Sequence, residues 1–127
     1  MTDEFLFGII GGSGLYGFEE LENKQTIEVD TPFGKPSSPI VIGEVKGHKL
    51  AFLARHGIGH IYSPSEVNYR ANIYAFKEIG IRSIVSVSAV GSLREDYAPG
   101  HIIVPDQIYD NTKERKRSFF GEGMVVH

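Results

Sequence analysis

Four stretches of the chain hold residue types that could do chemistry. Residues 8–17 read GIIGGSGLYG. Glycines let successive backbone N–H groups converge on an anion, and Ser13 adds a hydroxyl donor. Gly12, Gly14 and Gly17 satisfy G-x-G-x-x-G, and a second apolar stretch downstream ends at Asp30, which together outline a dinucleotide fingerprint. The loop is not of the Walker A kind, because no Lys-Ser/Thr pair closes it. Next, Arg55 and His56 follow an apolar run, where a planar guanidinium and an imidazole could grip a phosphate. Third, Ser88 offers a hydroxyl and Ala89 a backbone N–H to the same kind of anion. Neutral or cationic donors at all three places suit inorganic phosphate better than a metal. The fourth stretch is acidic, with Glu95, Asp96 and Asp106, but no spacing singles out a pair for glycosidase chemistry, and solvation accounts for them.

A zinc reading of His56 and His60, four residues apart, meets Gly57 and Gly59 between them. Those glycines argue against the helix on which such a pair normally rides, so no metal site is expected. The cluster at 113–117 is basic but interrupted by Glu114, and reads as a solvated loop.

These groups need elements to hold them. Residues 5–10 predict a buried strand leading into the glycine loop, and 26–30 a second strand. The proline-bearing segment 31–36 is a loop. Residues 40–45 and 48–53 predict two strands joined at Lys46-Gly47. Ser63, Pro64 and Glu66 carry the signature of a helix start, followed by a stripe through Ala71, Tyr74 and Ala75 and a stop at Gly80. Residues 81–87 then predict an interior parallel strand, and 102–104 a further short one. The order implies an α/β fold with a mixed central sheet flanked by helices and a crossover helix, in one domain spanning 1–127. One clear helix for several strands leaves a sheet face poorly covered, as expected for part of a larger fold.

Composition narrows the class. The 127 residues are 41% hydrophobic and 23% charged, within the range of ordinary globular proteins. Thirteen Lys and Arg against 16 Asp and Glu give a formal charge of −3, which supplies no footprint for nucleic acid or an anionic membrane. There is no cysteine, which excludes disulfides and thiolate zinc sites. An acidic start and the absence of a long apolar run lead to the expectation of a soluble, cytoplasmic protein with no signal peptide.

The motifs taken together add a resemblance. Residues 11–15 (GGSGL), 54–57 (ARHG), 67–73 (VNYRANI) and 88–93 (SAVGSL), followed by Asp106-Gln107 and Asp110-Asn111-Thr112, resemble in order the purine nucleoside phosphorylases of the methylthioadenosine phosphorylase type. The resemblance implies phosphorolysis: phosphate attacks the anomeric carbon of a purine nucleoside, giving free purine and a pentose 1-phosphate. It implies that Ser13 hydrogen-bonds the phosphate, that Arg55 and His56 clamp it, and that Ser88 and the Ala89 amide complete the cradle. Ala89, Val90 and Gly91 would border the nucleoside, and His60 would lie near the distal end of the sugar. It implies no metal or cofactor, phosphate as co-substrate, and a homo-oligomer built on trimers. On this resemblance the G-x-G-x-x-G match is accidental. Members are about twice as long, and the acid assisting departure of the base falls in their second half. The expectation is therefore a phosphate-binding half, inactive alone. A dinucleotide-binding oxidoreductase domain and a non-catalytic nucleoside- or phosphate-binding subunit are the competing readings.

Overall fold

The computed structural model describes residues 4–5, 7–12 and 19–127. Its elements run β1 (Phe7–Gly11), β2 (Glu22–Ile27), β3 (Ile40–Val45), β4 (His48–Ala54), α1 (Tyr69–Glu78) and β5 (Ile84–Ser86). They form one mixed sheet in the order β2-β3-β4-β1-β5. The pairs β2–β3 and β3–β4 are antiparallel, whereas β1 lies parallel to both β4 and β5. The β3–β4 hairpin turns at Lys46 and Gly47, both at positive φ (50° and 78°), which matches the right-handed twist of the strands it joins.

The three parallel strands arise from the two-residue alternation of their side chains. Gly8 and Ile10 point to the same face as Ala51 and Leu53 of β4 and Ile40 of β3, and α1 packs there through Ala71, Ala75 and Phe76. Ala71 and Ala75 are fully buried and let the helix come close. Phe76 fills the space left by Gly8, where a β-carbon would sit 3.1 Å from the ring and from Ile81. Burial of a phenylalanine of this kind contributes about 1.5–3 kcal/mol. On the opposite face Ile9, Val41, Phe52 and Leu21 line an open apolar hollow of about 180 Å³. Among the described residues no second helix covers that face, which stays poorly covered as the single clear helix of the sequence implied.

Helix α1 begins later than its sequence signature suggests. Glu66 does accept from the Ser63 N–H (2.9 Å) and Oγ–H (2.6 Å), but these bonds close a separate turn. The cap is Asn68, whose Oδ1 accepts from Ala71 N at 3.2 Å. Its Nδ2 donates to the Phe33 carbonyl at 2.8 Å, which ties the helix start to the 31–38 loop and fixes it there. The helix ends as the sequence predicts. Gly80 takes φ 89° and donates to Lys77 O, while Ile81 N donates to Phe76 O, a Schellman arrangement.

That ending shortens β5. Ile81 belongs to the helix terminus and packs on Phe76, so pairing with β1 starts only at Ser83, whose carbonyl accepts from Gly8 N. The second strand also shifts, from the expected 26–30 to Glu22–Ile27. Residues 102–104 form no strand. Their local propensity is met, but a strand needs a ladder partner, and among the described residues none pairs with them; Ile102 and Val104 remain exposed. Among the described residues, no helix is long and apolar enough to cross a membrane.

Candidate functional site

Strands β4, β1 and β5 are adjacent and parallel, so their carboxyl ends open on one edge of the sheet. In open α/β sheets that edge is where ligands bind. The residues immediately following these strands are Arg55, Gly12 and Val87-Ser88. Ladder-type hydrogen bonds carry each chain to that edge: Arg55 N donates to Gly11 O (3.1 Å), and Val87 N donates to Ile10 O (2.9 Å).

Arg55 is the centre of the group. Its Nη1 donates to Ser88 Oγ at 2.7 Å and lies 3.4 Å from the Val87 carbonyl. Its Nε donates to His56 Nε2 at 3.1 Å. Nη2 passes over Gly12, where a β-carbon would lie 3.6 Å away. Among the described residues the one ion pair is Arg94–Asp96, so no described carboxylate neutralises Arg55. A guanidinium whose neighbours are a hydroxyl, an imidazole and a bare backbone is suited to an anionic ligand.

His56 is buried, and its ring is held on three sides. Nδ1 lies 2.8 Å from the Tyr62 carbonyl, a group that only accepts, so Nδ1 carries the hydrogen. Nε2 takes the Arg55 bond. The ring of His60 stacks on that of His56 with centroids 4.4 Å apart. The 56–62 loop closes on itself through Tyr62 N to His56 O (3.0 Å), with Gly57, Gly59 and His60 all at positive φ. With Nδ1 and Nε2 of His56 both engaged within the chain, the histidine pair has no arrangement for a shared metal. Among the described residues no cluster of three or more His, Cys, Asp or Glu could hold one.

The structure thus brings together Arg55, His56, Ser88, the His60 ring and the backbone at Gly12. Ala89, Val90 and Gly91 follow β5 on the same edge and are exposed. Ser13, Gly14 and Gly17 lie outside the described residues. Of the acidic stretch, Asp96 pairs with Arg94 (Nε to Oδ1 2.8 Å), which holds its carboxyl below the usual range.

The dinucleotide reading does not survive the topology. It requires the acid to end a strand next to β1 in the sheet. Asp30 instead follows β2, an antiparallel edge strand separated from β1 by β3 and β4. Three strand spacings amount to about 14 Å.

Two supports went unread in the sequence. One is the Tyr62 carbonyl, for which residue type gives no signal. The other is buried Asn72, which accepts from Ser37 N (2.8 Å) and donates to Ser37 Oγ (3.0 Å). Next to it Ser38 Oγ accepts from Ala54 N (3.0 Å), immediately before Arg55. The i, i+4 spacing of Asn68 and Asn72 was the available signal, since both amides reach the same loop.

Residues 6–127 match the family model described as the phosphorylase superfamily. An S-methyl-5′-thioadenosine phosphorylase from Chloroflexus aurantiacus is 59% identical over 121 residues, covering 94% of this chain and 42% of that protein. Another from Geobacter sulfurreducens is 54% identical, covering 98% of this chain and 44% of that protein. Among solved structures, a methylthioadenosine phosphorylase from an Antarctic soil metagenomic library superposes with a TM-score of 0.91 at 54% identity, over 99% of this chain and 44% of its own. A Schistosoma mansoni methylthioadenosine phosphorylase in complex with tubercidin gives 0.84 at 45% identity, over 94% and 42%. The chain therefore spans less than half the length of each of these relatives.

Proposed function

This chain belongs to the phosphorylase superfamily, and on that premise we propose that it forms the phosphate-binding part of a 5′-methylthioadenosine phosphorylase. The observation that carries the reading is the convergence of the Arg55 guanidinium, the Ser88 hydroxyl and the Gly12 backbone at the ends of three adjacent parallel strands. The substrate class follows from the named activity of the relatives.

In this reading inorganic phosphate sits between Arg55, Ser88 and the start of the glycine loop, with Ser13 and the Ala89 amide as further donors. A phosphate oxygen bonds to the anomeric carbon as the bond from that carbon to the purine nitrogen breaks. The electron pair leaves with the base, which takes up a proton. Positive charge developing on the sugar is met by the anion that Arg55 holds in place, so catalysis is largely positioning and electrostatics. Val90, Gly91 and His60 border the nucleoside. The reading needs no metal or redox cofactor, places the enzyme in the cytoplasm and has it assemble as a trimer.

The test is phosphate-dependent release of adenine from 5′-methylthioadenosine by the protein that carries this chain. Loss of charge-assisted hydrogen bonds worth about 1.5–3 kcal/mol each should raise the phosphate KM of Arg55→Ala roughly 10- to 100-fold or more. An unchanged phosphate KM would overturn the assignment.

A further inference from the structure

We infer that Ser38 is a positioning residue for the phosphate site: its hydroxyl fixes the end of β4 from which Arg55 leaves. The inference rests on the reading of Arg55 as the phosphate grip and deepens it.

The register of the sheet shows why a side chain is needed there. Successive backbone N–H groups of a strand point to opposite sides. Arg55 N donates to Gly11 O of β1, so the Ala54 N–H turns the other way, toward β3. Ile40 pairs with Leu53, which puts Pro39 opposite Ala54. Proline has no N–H to return a ladder bond, and the antiparallel pairing stops at Ile40. The Ser38 hydroxyl bridges the gap. Its Oγ accepts from Ala54 N at 3.0 Å and donates to the Pro39 carbonyl at 2.9 Å, so one side chain relays the bond between the two main chains. The Ala54 carbonyl accepts instead from Gly57 N at 3.0 Å, which closes the turn on which Arg55 sits.

The same short segment supports the far end of that turn. A β-carbon at Gly57 would lie 3.1 Å from the Ser37 carbonyl oxygen, and Asn72 of α1 holds Ser37 through two hydrogen bonds. Ser37, Ser38 and Ala54 are all buried. A path of buried hydrogen bonds therefore runs from the helix through 37–38 to the residue before Arg55, with Ser38 as its last link. Removing the Ser38 hydroxyl leaves the Ala54 N–H facing the Pro39 carbonyl across the space that Oγ filled. The end of β4 must then move toward β3 to regain an acceptor, and Arg55 moves with it. A displaced guanidinium meets its anion in poorer geometry, a fault of position rather than of charge.

The test uses the protein that carries this chain and reads KM for phosphate and for 5′-methylthioadenosine separately. Ser38→Ala should raise the phosphate KM about fivefold, less than the loss of a whole hydrogen bond to a charged group, and leave the nucleoside KM within about twofold. Ser37→Ala removes a neighbouring buried hydroxyl that makes no bond to β4. It should leave both constants within about twofold, which separates position from stability. Amide hydrogen exchange gives a second reading that involves no phosphate. Relative to Leu50 in the middle of β4, the Ala54 amide should exchange at least about tenfold faster in Ser38→Ala and at an unchanged ratio in Ser37→Ala. A phosphate KM unmoved by Ser38→Ala while Arg55→Ala raises it, an equal rise in Ser37→Ala, or an unchanged exchange ratio in Ser38→Ala would overturn the inference. If Arg55→Ala left the phosphate KM unmoved, the phosphate reading itself would fall, and the exchange ratio would still decide whether Ser38 holds the end of β4.

Discussion

Replacing Asn72 by Ala tests how the helix holds the edge of the sheet on which Arg55 lies. Asn72 is 2% exposed and faces Ser37, itself buried, with both ends of its amide. Truncation leaves the Ser37 N–H without an acceptor in a place water does not reach, at about 1–3 kcal/mol. Loss of the second bond, to Ser37 Oγ, adds about 1 kcal/mol, since the hydroxyl can turn to another acceptor. Alanine is the better helix former by roughly half a kcal/mol, which offsets part of this. The expected net loss is about 1.5–3.5 kcal/mol. Ser37→Ala removes only the hydroxyl bond and should lose about 1 kcal/mol. Urea unfolding followed by far-ultraviolet circular dichroism, or by the fluorescence of the six tyrosines in a chain without tryptophan, measures both. If Asn72→Ala fell within about 0.5 kcal/mol of the wild type, or no further than Ser37→Ala, the amide would not be what ties α1 to the 37–38 segment and the reasoning would fail.

Two other outcomes follow from packing and charge. At Gly43 a β-carbon would overlap the Leu21 side chain, whose Cγ and both methyl carbons lie within van der Waals range of it. Gly43→Ala should displace Leu21 from the apolar hollow and lose about 1–3 kcal/mol in the same urea titration, and a neutral result would mean that Leu21 does not lie over β3. Glu66 accepts from the Ser63 hydroxyl and N–H, which hold its carboxyl below the usual glutamate range. A lowered folded value stabilises the turn above the unfolded value, and that contribution disappears as pH falls through the folded one. In a carboxyl ¹³C titration Ser63→Ala should move the Glu66 midpoint upward, and an unmoved midpoint would refute the contact.

What was legible in the sequence, and what was not, divides along the range of the interaction involved. The hairpin at Lys46-Gly47 and the helix stop at Gly80 were readable because a backbone conformation at one or two residues decides each. The apolar runs of β1, β3 and β4 were readable because alternation and β-branching act within a few residues. Misreadings occurred where a distant partner decides. The capping chemistry at Ser63 and Glu66 forms as expected, yet the helix waits for Asn68, because the 31–38 loop binds that side chain from 35 residues away. Residues 102–104 have a strand's composition and no ladder. The glycine loop shows the same division at the level of function. Spacing alone made Gly12, Gly14, Gly17 and Asp30 a dinucleotide pattern, and only strand order, with β3 and β4 lying between β2 and β1, separates Asp30 from the loop. Arg55 and Ser88, 33 residues apart, carry no local signal of each other. They meet because a strand–helix–strand crossover places β4 and β5 on either side of β1. An anion site of this kind belongs to the topology: any sequence that changes the neighbours of β1 loses it, even with every one of these residues retained.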